Sequence, residues 1–309
     1  MLAAISDEVL AVWVRAWNDI EAELLTEWPG WTERRIQLEE ARRVAAQKVI
    51  QAAEETGVIL TQNARAMIER GLWEQPMLLE PQLPPQLHAT ILRPPAGEVD
   101  RMVERVTQQI TATTYVLSVE ASEAVRRSLV LGLAGGENPR EVARRMIEMV
   151  EGPFNGGVAR AQVIARTEMI DAHRDATKLA QDANADILQG WYWYTNLDLR
   201  TCPSCVEQHG KLHPLDQPGP LDHQQGRCAR LPAVKPWREL GIDLDGPHGP
   251  DIGDGHSWFL NLTPDQQRQV LGPKRYDAWL AGDYPMSKWS VRRSTEGWRD
   301  SFGVGPVKA

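Results

Sequence analysis

Apolar residues recur at helical spacing along most of the first 185 residues of the chain. The first stripe places six of them on one helix face: Leu10, Trp13, Val14, Trp17, Ile20 and Leu24. Ser6 is positioned to cap this helix, and Pro29 is positioned to end it. Thr32 is predicted to cap a second helix that ends before Gly57, and a short third helix is predicted over 63–71.

A cluster of six prolines then interrupts the helical pattern: Pro76, Pro81, Pro84, Pro85, Pro94 and Pro95. Proline fixes φ and lacks a backbone N–H, so a helix is not expected here and an extended linker over 76–97 is predicted. The helical stripe returns at Glu98 and is expected to stop at Gly135. Asn138 is predicted to cap the next helix, and a long helix is predicted over 158–184.

Near Gly190 the apolar period changes from helical spacing to two. The sequence WYWYTNL puts Trp191 and Trp193 on one face of a predicted strand. A second strand is expected at 210–212 and a third at 228–234, which together make a small antiparallel sheet. Beyond a loop over 240–256, capping signals predict short helices that begin at Thr263 and Pro273, and the second is expected to end at Gly282.

All three cysteines of the 309-residue chain lie close to this sheet. Cys202 and Cys205 form a C-x-x-C turn, and Cys228 follows His223 by five positions. Three thiolates and one imidazole match the donors that Zn²⁺ takes, and four protein donors leave no open position for water. A structural zinc site is therefore predicted.

The same residues are compatible with different ligand sets and with no metal at all. His209 or His213 could replace His223 as the imidazole ligand. Unrelated thiols, or one disulfide with an odd cysteine left over, are the alternatives to a metal site. A thioredoxin-like site is disfavoured, because no βαβ pattern surrounds the C-x-x-C.

Composition excludes some classes of protein. No run of 18 apolar residues occurs, so no membrane span is predicted, and the N-terminal stretch lacks the basic segment of a signal peptide. With few cysteines and no predicted export signal, a reducing cytoplasm is expected, where metal sites are commoner than disulfides. The formal net charge of −8 argues against a protein that wraps nucleic acid with its whole surface.

Two features of the composition suggest partners. Twelve tryptophans stand against three phenylalanines, and tryptophan is enriched at interfaces, although core filling is the alternative for each one. From Thr263 onward the chain has eight Lys/Arg against five Asp/Glu, so this end is mildly basic. It could face a protein ring or DNA phosphates, or be a solvated surface.

The predicted fold is mainly α with a small zinc-pinned antiparallel β region, an α+β protein. Four segments are predicted: a helical arm over 1–75, a proline-rich linker over 76–97, a core over 98–236 and a C-terminal region over 237–309. The zinc-bearing β region occupies 188–236 within the core. Because the predicted sheet is too small to be stable through packing alone, the metal is expected to stabilise it.

These motifs together resemble one known family. The chain is similar to the head-morphogenesis, or minor head, proteins of tailed phages, a family named after protein F of phage Mu. The similarity lies in ARTEMIDAHRDA, the aromatic strand, DLRTCPSC, and the downstream His and CAR. The matched positions are Ala165, Arg166, Thr167, Glu168, Asp198, Arg200, Thr201, Cys202, Cys205, His223, Arg227 and Cys228. The resemblance covers about 99–232, and the chain departs from the family ending H-P-x-C-R-C after His223, where Gly226 stands in place of a cysteine.

The resemblance implies a minor capsid protein inside the virion near the portal, present in several copies and found in the host cytoplasm during assembly. It implies roles in head assembly and in genome packaging or ejection. The portal ring is the implied partner, with major capsid or scaffolding protein and packaged DNA as further candidates. It implies no catalysis in the core. No catalytic and no cofactor-binding residues are predicted elsewhere in the chain, so an enzyme is not expected.

Two alternatives belong to other functional classes. One is a zinc-containing nuclease of the HNH or treble-clef type, with His209 or His213 as base and Asp216 and Asp222 near the metal. The other is a DNA-binding module built on the zinc knuckle, although charges between Thr201 and Arg230 nearly balance. In ARTE, Arg166 and Glu168 do not share a helix face, so structural or surface roles are expected for both.

Overall fold

A computed structural model describes residues 1–27, 34–135, 158–223, 226–246, 249–294 and 300–307. The helices are α1 (Leu2–Glu27), α2 (Arg34–Leu79), α3 (Ala96–Gly135), α4 (Val158–Asp182), α5 (Pro203–Gln208), α6 (Gly255–Leu260), α7 (Pro264–Leu271) and α8 (Pro273–Leu280). The strands are β1 (Leu188–Tyr194), β2 (Leu212–His213), β3 (Ala229–Val234), β4 (Ser290–Arg293) and β5 (Ser301–Val304). The prediction of a mainly α protein with a small antiparallel β region is confirmed.

The described chain divides into two compact units. Residues 1–67 and 100–172 form the first unit, and residues 68–99 and 173–309 form the second. Helices α2, α3 and α4 each contribute residues to both units. The four segments predicted from the sequence stay a prediction.

Across the described residues, no helix combines the length and the apolar character that are needed to cross a bilayer.

The first unit is built on the predicted apolar stripe of α1. Trp13, Trp17 and Ile20 are buried, whereas Val14 is exposed. The Trp13 indole Nε1 donates a hydrogen bond to Thr56 Oγ1 of α2, with 2.9 Å between the two atoms. The prediction that Ser6 caps this helix is wrong, because α1 begins at Leu2 and Ser6 lies buried inside it.

Glycines inside α2 allow close helix packing and do not end the helix. The predicted breaks at Gly57 and Gly71 are wrong, since α2 continues unbroken to Leu79. A Cβ on Gly57 would lie 3.2 Å from Thr114 Oγ1 of α3, and a Cβ on Gly71 would lie 2.7 Å from the His173 carbonyl oxygen of α4. Glycine lets these helices approach each other, and packing in each unit outweighs its low helix propensity.

The proline-rich segment begins later than predicted. Helix α2 contains Pro76 and ends at Leu79, so the prediction that a helix is excluded from Pro76 onward is wrong for its first turn. Leu79 is fully buried, and its packing favours the last helical turn despite the missing proline N–H. Short 3₁₀ helices follow at Glu80–Gln82 and Pro85–Thr90.

Residues 91–95 follow the 3₁₀ helices as a short strap without regular secondary structure, so the extended linker predicted over 76–97 is mostly helical instead. The buried Asn184 side chain holds this strap: its Oδ1 accepts from the Leu92 N–H at 2.8 Å, and its Nδ2 donates to the Leu92 carbonyl at 2.9 Å. One side chain thus replaces two ladder hydrogen bonds for this stretch of backbone.

The second unit carries the three-stranded antiparallel sheet, in the order β2–β1–β3. Trp191 pairs with His213 on one side and with Pro232 on the other. Trp191 and Trp193 are both buried, which confirms the predicted strand and its apolar face.

The C-terminal part of this unit contains α6–α8 and a hairpin of β4 and β5. Thr263 caps α7 with the predicted capping box, and Pro273 begins α8 as predicted. Helices α5 and α6 and the β4–β5 hairpin were not predicted. The predicted break at Pro29 and the predicted caps at Thr32 and Asn138 lie outside the described residues.

Candidate metal centre

The turn after β1 is fixed by its own polar side chains and leads directly to the first cysteine. Thr201 Oγ1 donates to the Asn196 carbonyl at 2.8 Å and accepts from the Asp198 N–H at 3.1 Å. The Thr201 N–H in turn donates to the Asp198 carbonyl at 2.9 Å. These bonds set the direction in which the chain enters α5, and they place Cys202 at the residue before this helix.

Helix α5 brings two thiols together, because one helical turn separates Cys202 from Cys205. Their Sγ atoms lie 3.4 Å apart, and the ligand atoms of Cys202, Cys205 and His223 all lie within 4.8 Å of one another. Cys228 Sγ lies 3.3 Å from Cys205 Sγ. The loop before β3 thus brings His223 and Cys228 to the C-x-x-C turn. Cys202, Cys205 and His223 form a group that could bind a metal ion, and Cys228 contacts it through Cys205.

The environment separates the acidities of the neighbouring thiols. The hydrogen bond with Cys205, together with the neighbouring His223, lowers the pKa of the Cys202 thiol to about 5. The neighbouring sulfurs of Cys202 and Cys228, together with burial, raise the pKa of the Cys205 thiol. Two adjacent thiolates repel each other unless a cation lies between them, so this set of donors favours a bound cation over three free thiolates.

An ion pair joins the two halves of the site. Arg227 donates two parallel hydrogen bonds to the Asp198 carboxylate, each 3.0 Å long, and Arg200 donates a third from its side chain at 2.9 Å. The bond from Arg227 is the main reason that the pKa of Asp198 lies well below its usual range. The matched residues of D-x-R-T-C and R-C therefore clamp the C-x-x-C turn to the loop that carries Cys228.

A buried ion pair supports the same loop from α4. Arg174 Nη2 donates to Asp222 Oδ2 at 2.7 Å and to the Cys228 carbonyl at 2.7 Å, and Arg174 Nε donates to the same carbonyl at 3.0 Å. Asp222 Oδ2 also accepts from the Cys228 N–H at 3.1 Å. Sequence reasoning missed Arg174, although it lies within ARTEMIDAHRDA.

The same pair accounts for glycine at position 226. A Cβ on Gly226 would lie 1.9 Å from Asp222 Oδ2, so no side chain fits there while this carboxylate is in place. Position 226 is where the resembled pattern has a further cysteine. In this chain the space of that side chain is occupied by the carboxylate that Arg174 holds.

A second buried arginine organises the loop between β2 and β3. Arg230 lies over the Trp191 ring at 4.5 Å, and its guanidinium donates to the Leu215 and Gln217 carbonyls at 2.6 and 2.7 Å. Burial lowers the pKa of Arg230 to about 10. The cation is stabilised by carbonyl dipoles and by the indole face in place of water.

The alternative histidine ligands have other contacts. His209 is buried, its Nδ1 accepts from the Thr195 N–H at 3.1 Å, and its Nε2 lies 2.9 Å from the Ile252 carbonyl, to which it can only donate. Both of its ring nitrogens are thereby used by the backbone. His213 stacks on Trp191 with ring centroids 4.5 Å apart, and burial lowers its pKa. The structure brings neither ring into the metal-ligand group.

The ARTE residues contribute differently from each other. Arg166 is exposed on α4, whereas Glu168 is buried and accepts from Thr113 Oγ1 at 3.4 Å within the first unit. Asp216, a candidate for a position near the metal, is exposed. Among the residues that the structure describes, one group of three or more His, Cys or acidic side chains has metal-like spacing, and it is the group of Cys202, Cys205 and His223.

The C-terminal region packs directly on this site. Val206 of α5 belongs to a core with Phe259, Leu271 and Trp289, and Ser204 Oγ lies 2.8 Å from Ser290 Oγ. Phe302 of β5 contacts the Trp193 ring edge-on at 5.6 Å. Sequence motifs gave no sign of this packing, because it joins residues that are far apart along the chain.

Comparison with known proteins gives one family. Residues 123–230 match the model of the family described as Phage Mu protein F like protein. This match includes the turn at Asp198, the C-x-x-C and the ending at Arg227, so the resemblance inferred from those residues is confirmed over that stretch. None of the curated proteins and none of the solved structures compared with the chain matches it.

Proposed function

We propose that the chain is a minor head protein of a tailed bacteriophage, located in the capsid interior and attached to the portal ring. Its role would be in head assembly and in genome packaging or ejection, with several copies in each virion. The observation that carries this proposal is the clamp between Asp198 and Arg227. These two family-matched positions meet in a bidentate ion pair, and both lie inside the matched segment.

The site is proposed to hold one structural zinc through Cys202, Cys205, His223 and Cys228. Sulfurs that share a tetrahedral zinc lie about 3.8 Å apart, given Zn–S bonds of about 2.3 Å. The observed Sγ–Sγ distances of 3.4 and 3.3 Å require the sulfurs to separate by only a few tenths of an ångström. Four protein donors complete the shell and stabilise the loops around it.

A non-enzymatic role fits the side chains around the site better than a nuclease does. A zinc nuclease needs an imidazole or carboxylate free to act as a base beside an open metal position. His209 bonds the backbone through both ring nitrogens, and Asp222 pairs with Arg174. These contacts leave the two candidates in structural roles and favour a closed zinc site.

A DNA-binding knuckle is the weaker alternative, because cations close to the cysteines have acidic partners. Arg200 and Arg227 both pair with Asp198, and Lys211 pairs with Glu207. A phosphate would have to displace these carboxylates, which reduces the electrostatic gain that drives nucleic-acid binding.

Co-expression with the portal protein of the same phage tests the proposal. The full chain is the right sample, because α2 runs through residue 75 and truncation there would cut the helix. Co-elution with the portal ring at a fixed ratio supports the proposal, and failure to associate with portal or procapsid overturns it. Plasmid nicking with Mg²⁺, Mn²⁺ or Zn²⁺ that is abolished by His209→Ala or His213→Ala would favour the nuclease.

A further inference from the structure

We propose that Cys202 and Cys205 form an oxidisable pair: a two-electron oxidant joins them in a disulfide and releases the metal. The three thiols are in the free form in this structure, and the Cys205 sulfur lies close to both of the others. Its Sγ lies 3.4 Å from that of Cys202 and 3.3 Å from that of Cys228. The inference rests on the proposed zinc site, but the pairing of the sulfurs can be measured without metal.

Access decides which of the two neighbours reacts with Cys205. Cys228 is 3 % exposed and Cys205 is 5 % exposed, and both lie in a cluster with Trp191 and Trp193. Cys202 lies at the edge of the same cluster and is only partly buried. An oxidant from solvent therefore meets the Cys202 sulfur first, and its resolving partner at 3.4 Å is already in place.

The geometry of the pair suits a disulfide. Forming the bond requires the sulfurs to approach by roughly 1.4 Å, from 3.4 Å to the ~2.05 Å of a disulfide. Both residues lie within one turn at the start of a six-residue helix, so rotation about their side-chain bonds can supply most of this movement. The Cys205–Cys228 pair is as close, but the surrounding indoles restrict both the oxidant and the side chains.

With hydrogen peroxide as the oxidant, the step balances in atoms and electrons. The Cys202 thiolate attacks one peroxide oxygen, breaks the O–O bond and becomes a sulfenic acid, while the other oxygen leaves as water after taking a proton. The Cys205 thiolate then attacks the sulfenic sulfur and expels hydroxide, which takes a second proton. In sum, two thiolates, one peroxide and two protons give one disulfide and two waters, and the two thiolates lose two electrons.

Oxidation removes half of the metal's ligands and so releases the metal. Cys228 and His223 alone are too few donors to retain zinc. The contacts of Arg174 with Asp222 and with the Cys228 carbonyl do not involve the metal, and neither does the Asp198–Arg227 pair. The sheet loosens when the metal leaves, but these contacts return the loop with Cys228 to the C-x-x-C turn, so reduction of the disulfide allows the metal to bind again.

Peroxide titration of the zinc-loaded full chain tests the proposal. Zinc release is followed with a chromophoric chelator, and disulfides are mapped by mass spectrometry of peptides prepared without reductant. We expect one zinc released for each Cys202–Cys205 disulfide, and recovery of zinc binding after dithiothreitol and added zinc. Release accompanied by sulfinic acids, by a Cys205–Cys228 disulfide or by intermolecular disulfides would overturn it.

Two variants, both reduced and metal-free, provide the matched comparison. Cys228→Ser keeps the proposed pair and is expected to form its disulfide within about threefold of the wild-type rate. Cys202→Ser keeps only the buried pair and is expected to react at least about tenfold more slowly. Equal rates for the two variants would refute the assignment. Wild-type protein that binds no zinc but forms the Cys202–Cys205 disulfide would refute the zinc site alone, so the two failures are distinguishable.

Discussion

Helix α1 and the region around Cys202 bury different kinds of side chain. Helix α1 places Val9 and Trp13 in an apolar core, and the Trp13 indole donates one hydrogen bond to Thr56 Oγ1. The metal-site region instead buries Arg174, Asp222 and Arg230 beside its thiols. Apolar packing tolerates small shifts, whereas buried charges are stable only with their partners in place. The helices should therefore respond gradually to substitution and the metal-site region abruptly.

Loss of the metal should give the largest effect and should stay local. We expect Cys202→Ser to accelerate hydrogen exchange over 190–234 by at least about 10³-fold, because a small sheet depends on its metal. The α1–α2 pair should keep its wild-type protection, since its core contains none of the ligands. Exchange measured by mass spectrometry on both proteins decides this.

A uniform loss of protection along the whole chain would contradict this contrast. So would an unchanged sheet in Cys202→Ser, because the region would then be stable without its metal. Wild-type protein treated with a chelator is the control, and it should reproduce the pattern of the variant.

The second largest effect is expected when the buried Arg174 cation is removed. Arg174→Ala leaves the Asp222 carboxylate buried with its arginine missing, and breaking such a pair destabilises a protein by about 3 kcal/mol or more. We expect this loss in urea unfolding followed by tryptophan fluorescence, together with weaker zinc retention. The loop that carries Cys228 loses its contact with α4 in this variant.

Arg166→Ala is the matched control for Arg174→Ala, since Arg166 is an exposed arginine on the same helix. Its effect should stay within about 0.5 kcal/mol. Equal effects of the two substitutions would show that the buried pair is not the structural support inferred for it. Arg174→Lys should recover only part of the loss, because an ammonium cannot reproduce the guanidinium fork.

These two regions also differ in how far the sequence predicts them. The stripe of α1, the strand at Trp191 and the capping box at Thr263 follow from periods and caps, which are local properties. The cysteines and His223 were found because zinc ligands have characteristic spacings. Arg174 was missed because its partner, Asp222, lies 48 positions away, and no local pattern encodes that distance.

Predictions from glycine residues failed because tertiary contacts, which local rules do not include, decide the structure at those positions. Gly57 and Gly71 were expected to end helices, but each allows a close approach that only the folded structure reveals. Helix α5 and the β4–β5 hairpin were missed because both are short and are stabilised by contacts with each other. One such contact joins Ser204 of α5 to Ser290 of β4. Tertiary contacts outweigh weak local propensity in these cases.

A smaller effect is expected inside the helical unit. Thr56→Val removes the acceptor of the buried Trp13 N–H and should destabilise the protein by about 1–2 kcal/mol. Thr111→Val, at an exposed position of α3, should change stability by less than about 0.5 kcal/mol. Thermal unfolding of the two variants gives the comparison. A loss from Thr56→Val as large as that from Arg174→Ala would remove the contrast between the two regions.

The smallest effect is predicted for the Asp198–Arg227 clamp, because its side chains are 26 % and 42 % exposed and water screens the pair. Asp198→Asn should cost about 0.5 kcal/mol at pH 7, with the zinc site loaded. The folded-state pKa of Asp198 is depressed below 3.8, so its contribution is fully present above that value and is lost as the pH falls through the folded pKa. Urea unfolding at pH 7 and pH 5 should therefore give the same difference between wild type and variant, and 0.5 M salt should reduce it. A difference that changed between pH 7 and pH 5 would place the pKa of Asp198 higher than its bonds to Arg227 imply, and the clamp would then be weaker than its geometry suggests.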